Sequence, residues 1–508
     1  MTRGAAFVAE VMLLLAWNIA IAGRIAQGRI ATAPFRIVSG LCGFLVAPAL
    51  LISVAGSSAL TGRAIGGLGW LWPLVAWLCT AQVAYVIRRG LAAPLVAGPM
   101  LAFNFFIAFA ATVRYAAALG FDIPVAALAP GLGLANIESL LLGTSNVTSP
   151  LLVAVPVLAP AGAVASRVGN SVRSTIAILA AGTVLMLVAT APETFASLDS
   201  WALLGSERAT QVIVPRSPGS LLIGLRILPE LTRIPPSAAL HDDLALADSL
   251  GVRALLVRVA PEACTAATLD SLDRSLEALR HDSLVLIVVL GYPRDAAEAG
   301  ASESAYLRHR IEDVKRIVRH LGPDYLVTAD EPSGAGLAAM GVRSAEWWQR
   351  YVIATAMAAH ASRPATRVML TLDGDGVLDS TLYEWATADG SPVSATALSI
   401  APSAGAARVV SALELMDRRL HRSVAAREQW LLATGSPVLE GEGAQQRLAR
   451  HVLLWAAARP QIRGVVLADA ADYDRMTGFR SASGRLRRVA ADVAATIRAL
   501  AEPLTPLP

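Results

Sequence analysis

Two adjacent carboxylic acids, Asp330 and Glu331, end the apolar run in "YLVTADEPSG" at 325–334. Acids at the mouth of a buried strand suit general acid–base chemistry, because burial and a like charge push their pKa values apart. Other residues with chemical potential stand at the same relative place, where an apolar run stops: Arg226, Arg258, Tyr292, Asp373 with Asp375, Ser399 with Ser403, Thr434 with Ser436, and Asp469 with Asp472. The set is acidic with two arginines. "LDGDG" at 372–376 has the look of a cation loop but lacks the remaining ligand spacing, so it reads as a turn. The histidines fall in helical stretches or at their ends, so neither a metal cluster nor a Ser–His–Asp set is expected. With no Gly-rich phosphate turn either, no cofactor is expected.

Positioning these residues requires a repeated frame. Eight short runs, nearly all apolar, lie at 220–228, 253–260, 283–291, 324–330, 367–373, 395–401, 428–435 and 463–469. They have the composition of strands buried on both faces. Amphipathic stretches alternate with them near 237–250, 266–281, 304–321, 343–361, 378–387, 407–420, 442–459 and 484–501. Thr268 and Ser271 are placed to open one helix, and Ser344 with Glu346 another. Eight strands each followed by a helix predict an α/β (β/α)8 TIM barrel over 218–503, with its chemistry on the C-terminal strand ends.

The first part of the chain differs. Hydrophobic residues make up 55% of the 508, and the mean hydropathy is +0.54. The excess is concentrated in residues 1–195. Candidate spans at about 5–23, 35–56, 67–87, 93–119, 148–166 and 172–194 predict an all-α transmembrane domain of about six helices. The Pro- and Gly-rich stretch 120–147 reads as a re-entrant segment, and 196–217 as a linker. Arginine in alternate loops puts the barrel on the periplasmic or extracellular side of the cell (inner) membrane; counting seven spans would reverse that. The formal charge is +4, carried by arginine with Lys315 the one lysine, and no basic run is interleaved with aromatics. Nucleic acid is therefore not an expected partner. The expected partners are the lipid bilayer, a glycan and other membrane proteins.

Three local matches give the barrel a resemblance, over about 215–500, to the retaining glycoside hydrolases of the large (β/α)8 superfamily, clan A, of β-glucanase or galactanase type. "ADEP" at 329–332 is similar to that family's Asn-Glu-Pro after the fourth strand, which makes Glu331 the acid/base. "QWLLATGSP" at 429–437 is similar to its seventh-strand Trp-x-x-Glu-x-Gly-x-Pro segment. The stretch 442–490 is similar to its closing segment, with a Gln-containing helix, the eighth strand and a Gly-bounded turn. The departures are chemical. The nucleophile position falls on Ala433, whose methyl group cannot attack an anomeric carbon. Asp330 stands where the family has Asn, and "LADAADYD" lacks the usual Trp after strand eight.

A retaining pair needs carboxyls ~5–5.5 Å apart and an inverting pair ~6.5–9.5 Å. The resemblance therefore implies a glycosidase-like barrel that has lost its nucleophile and serves as a glycan-binding or scaffold subunit of a membrane complex. In that role Asp330, Arg226, Arg258, Tyr292, Asp373, Asp469 and Asp472 are the expected binding residues. The alternatives are an active enzyme that pairs Glu331 with Asp373 or Asp375, and a barrel that gates transport by the membrane part.

Overall fold

In a computed structural model of the chain, the structure describes residues 68–88, 220–228, 230–231, 237–277, 284–293, 303–400, 405–422, 427–435, 441–473 and 477–501, with isolated positions between 42 and 119. Eight strands, β1 (Leu222–Arg226), β2 (Ala254–Val259), β3 (Val285–Leu290), β4 (Tyr325–Ala329), β5 (Arg367–Leu372), β6 (Ala395–Ser399), β7 (Glu428–Thr434) and β8 (Ile462–Leu467), pair in sequence order. All pairings are parallel, and β8 returns to β1 to close a barrel. A helix, α1 (Leu71–Arg88), precedes the barrel in sequence. The barrel helices are α2 (Ser237–Leu250), α3 (Ala266–Glu277), α4 (Glu303–Leu321), α5 (Ala335–Met340), α6 (Ala345–Ser362), α7 (Val377–Thr387), α8 (Gly405–Arg422), α9 (Glu442–Ala457) and α10 (Arg488–Ala501).

The apolar runs become strands because each is covered twice. One set of side chains, including Leu222, Leu256, Ile287, Val327, Met369, Trp430 and Val466, fills the barrel interior. The alternate set, including Leu225, Val257, Leu326, Leu370 and Val465, packs outward against the helices. The widest interior side chain, Trp430, is fully buried and sits edge-on to Tyr325 at 5.1 Å between ring centroids. Gly464 faces it from β8, where even a Cβ would collide with the indole. Ser344 caps α6 by accepting the Trp347 N–H at 3.3 Å. At α3 the cap-type bond is made by Thr265, just ahead of Ala266 and three positions before Thr268, whose N–H it accepts at 3.3 Å.

The transmembrane reading requires correction. Among the described residues no helix is long and apolar enough to cross a membrane. The 67–87 candidate is α1, whose 18 residues include Pro73, Thr80 and Gln82 and end at Arg88, short of the ~20 mostly apolar residues a span needs. The transmembrane domain, the multi-pass location in the cell membrane and the assignment of the barrel to its outer side lose their support together. The candidates at 5–23, 148–166 and 172–194 and the 120–147 segment lie outside the described residues, and those at 35–56 and 93–119 are described only at isolated positions.

Candidate functional site

The β4 end carries the first cluster. β4 stops at Ala329, so Asp330 and Glu331 lie just past it. Adjacent residues on a strand would face opposite ways. Glu331 instead turns into the left-handed region at φ 47°, and its carbonyl accepts the N–H groups of Gly334 at 2.9 Å and Gly336 at 2.8 Å. Such a conformation is uncommon outside glycine and persists where surrounding bonds over-determine it. Here the Glu331 N–H is also held by the Thr371 hydroxyl at 2.9 Å, from β5.

Asp330 is buried and fully engaged. Arg258, at the end of β2, meets its Oδ2 at 2.5 Å, and Thr371 donates to its Oδ1 at 2.7 Å. The Tyr292 hydroxyl, past β3, donates to the Asp330 carbonyl at 2.8 Å. Burial and the Asp330 charge raise the Tyr292 phenol well above its ordinary value, so it stays a neutral donor. Arg258 also lies 3.5 Å from Glu230.

Glu331 is the perturbed acid of this group. Its pKa is pushed up to about 7 from 4.5, first by burial and then by the Asp330 charge, with Asp373 adding to the rise. A hydrogen bond from Ser399, at the end of β6, and the Arg258 charge pull the other way. The neighbouring acids share one charge environment because the turn at Glu331 removes the strand alternation that would have separated them. A carboxyl so poised can donate a proton near neutral pH. Ser399→Ala removes the bond that favours the charged form. It should move the Glu331 midpoint above that of the wild type in a carboxyl-carbon NMR titration; an unchanged or lower midpoint would remove Ser399 from this account.

The second cluster follows β5. Ser333 donates to Asp373 at 2.6 Å and lies 2.5 Å from Asp379 on α7. Asp379 is pushed up to about 6, first by burial, with its hydrogen bond to Asp373 also raising it. Gly334 explains how the two clusters meet. A Cβ on it would stand 2.5 Å from Asp373 Oδ2 and 3.1 Å from Glu331 Oε2. The two oxygens are thus no more than about 5.6 Å apart, closer than the ~6.5–9.5 Å of an inverting pair. Their approach is made over the Gly334 backbone, however, and Asp373 comes from the strand next to β4, not from the opposite wall. Asp375 points to solvent, its side chain 73% exposed, with Arg418 3.7 Å away.

Across the mouth, Arg226 at the end of β1 forms an ion pair with Asp469 after β8, and Thr477 donates to the other Asp469 oxygen at 2.8 Å. Asp472 lies apart from the strand-end acids. Both its oxygens bind the fully buried Arg487, at 2.8 and 2.6 Å, and the Gly478 N–H at 2.9 Å. Its environment is that of a loop brace. Ala433 lies within β7. Among the described residues no group of three or more His, Cys, Asp or Glu side chains could hold a metal ion.

No protein-family model matches the chain, and no curated protein matches it. Similar solved structures include a variant of the GH5_18 protein of Bifidobacterium longum subsp. longum ATCC 55813 in complex with Manb1-4GlcNAc, at 13% identity, covering 57% of this chain and 80% of that one, with a TM-score of 0.46. A GH5_18 variant from Streptomyces cattleya in complex with the same ligand is similar at 14% identity, 57% and 82% coverage and a TM-score of 0.46. A b-glucuronidase from Ruminococcus gnavus is similar at 10% identity and a TM-score of 0.40; 55% of this chain matches 49% of its length. These likenesses are of architecture at low identity.

Of the groups around the two clusters, the strand ends point to Ser399; Thr371, Ser333, Asp379 and Glu230 are not marked by them. Thr371 lies near the end of β5, but its hydroxyl carries no charge signal in the sequence. Asp379 sits in the first turn of α7, where an acid is ordinary helix chemistry.

Proposed function

We propose that the barrel is a carbohydrate-binding module that does not hydrolyse its ligand. The observation that carries this reading is the setting of Glu331. Its two oxygens face Ser399 and Gly334, Asp373 approaches over that same glycine, and the sequence has alanine rather than a carboxylic acid at 433. Hydrolysis requires two carboxyls with the glycosidic bond between them. Binding requires only partly exposed, orientable polar groups. Arg226 and Arg258 supply these: their side chains are 22% and 25% exposed, each already neutralised by a carboxylate, which suits an uncharged ligand rich in hydroxyls. The low-identity likeness to sugar-binding barrels agrees with this reading without carrying it.

The test uses the purified full chain and a panel of neutral β-linked gluco-, galacto- and manno-oligosaccharides. Calorimetry should find binding to at least one, and chromatography no cleavage of it. Arg226→Met should weaken binding by roughly tenfold or more, the size expected for losing a charged hydrogen-bond donor. Cleavage by the wild type that disappears in Glu331→Gln would sink the non-hydrolytic reading. Absence of binding across the panel would sink the carbohydrate one.

A further inference from the structure

Behind the Arg226–Asp469 pair lies a buried acid that the proposed site does not use. Asp243, on α2, has 0% exposure and accepts hydrogen bonds from two other segments. Its Oδ2 takes the Leu228 N–H at 2.9 Å and the Tyr473 hydroxyl at 2.5 Å; its Oδ1 takes the Arg480 guanidinium at 2.7 Å. Leu228 stands two residues past Arg226, at a left-handed φ of 60° that leucine keeps only when its surroundings hold it there. On the other segment, the Arg480 N–H donates to the Ala470 carbonyl at 3.0 Å, and the Ala470 N–H donates to the Arg226 carbonyl at 2.9 Å. Ala470 is the residue after Asp469. One carboxylate therefore grips both backbones that carry the charged pair.

We propose that Asp243 is a positioning residue, which holds the segments after β1 and β8 in register so that Arg226 and Asp469 meet at the barrel mouth. Its link to ligand binding rests on the carbohydrate reading of that mouth, whereas the hold on the two segments does not.

The hold depends on pH. Tyr473, Arg480 and Asp469 face Asp243 from the β8 side, the Leu228 N–H from the β1 side, and Asp242, its neighbour on α2, pairs with Arg480 at 3.2 Å. Burial lifts the Asp243 carboxyl from 3.8 to about 6, against the pull of Tyr473, Leu228 and Arg480 and with a further push from Asp469. A carboxyl raised in the held state binds its proton more readily there than when released. The hold is therefore strongest below about 4 and weakens as the pH rises through about 6.

Hydrogen exchange on the full chain, corrected for the intrinsic pH dependence of amide exchange, tests this at Leu228, Ala470 and Arg480, with β4 and β5 amides as reference. Wild-type protection at the three amides should fall as the pH rises through about 6. Asp243→Leu, which has no acceptor, should lower it by roughly tenfold or more. Asp243→Asn, which keeps an acceptor, should retain it and abolish the pH step. Tyr473→Phe, removing one of the three bonds, should give a smaller loss at the same amides. Wild-type protection in Asp243→Leu, or an equal loss in the reference strands, overturns the positioning role. Weaker oligosaccharide binding in Asp243→Leu supports its link to the site. If the exchange pattern holds and the wild type binds no oligosaccharide, the carbohydrate reading fails and the positioning role stands.

Discussion

Replacing Arg258 by Met should lower the stability of the chain by about 3 kcal/mol at pH 8, the size expected when one partner of a largely buried ion pair is removed. The reason is Asp330, whose side chain is only 6% exposed and would be left without the guanidinium now 2.5 Å away. Arg258 itself is a quarter exposed, so the loss belongs to the stranded carboxylate more than to the pair's attraction. Glu331 should respond as well. Arg258 is one of the groups that hold its pKa down, so without it the midpoint should move above about 7. Because the folded-state value is raised above 4.5, the stability linked to Glu331 is complete below the ordinary range and disappears as the pH rises through the folded midpoint. In the variant that loss should extend to higher pH. Urea denaturation at several pH values, with an NMR titration of Glu331, measures both effects. Arg258→Lys keeps the charge but not the planar fork and should fall between the two. Wild-type stability together with an unmoved Glu331 midpoint would show that Arg258 does not organise this cluster.

Trp430→Ala should cost about 3–5 kcal/mol, the range for emptying a fully buried large aromatic position. This is a large part of the ~5–15 kcal/mol that separates most folded domains from unfolding. Trp430 fills the barrel interior and closes on Tyr325 and Gly464, so the wall that would have to collapse into the hole is a hydrogen-bonded cylinder with little freedom to move. Gly464→Ala should be damaging for the opposite reason, because its methyl group meets the indole. The two changes should compensate: with Trp430→Leu in place, Gly464→Ala should cost less than it does alone. Denaturant midpoints for the single and double variants form the cycle. Additive losses would mean that the two positions do not share the interior space.

Much of the barrel is legible in the sequence, and for a physical reason. A strand covered by side chains on one face and by helices on the other must be apolar at nearly every position, so "LLIGLR", "ALLVRV" and "VLIVVL" identify themselves without reference to one another. Helices that present one face to those strands show it by their spacing. The place where chemistry could sit follows as well, because a polar residue that ends such a run must lie near the rim. The apolar composition of residues 1–195 was a poorer guide. It measures how much apolar surface a segment has, not whether one helix runs far enough to span lipid, and α1 with its Pro73, Thr80 and Gln82 does not.

What the residues of this chain determine by themselves is the order of the strands and the polar character of their ends. The folded structure alone decides which strand-end groups share a charge environment. Arg258 goes to Asp330 rather than to Glu331, Asp373 closes on Glu331 over Gly334, and Asp472 turns away to Arg487. Those pairings depend on a left-handed turn at Glu331 and on closure of β8 against β1, which brings Arg226 beside a residue 243 positions away. Side-chain type is a local property that can be read residue by residue. The partner of a buried charge is set by long-range packing, which no local pattern encodes.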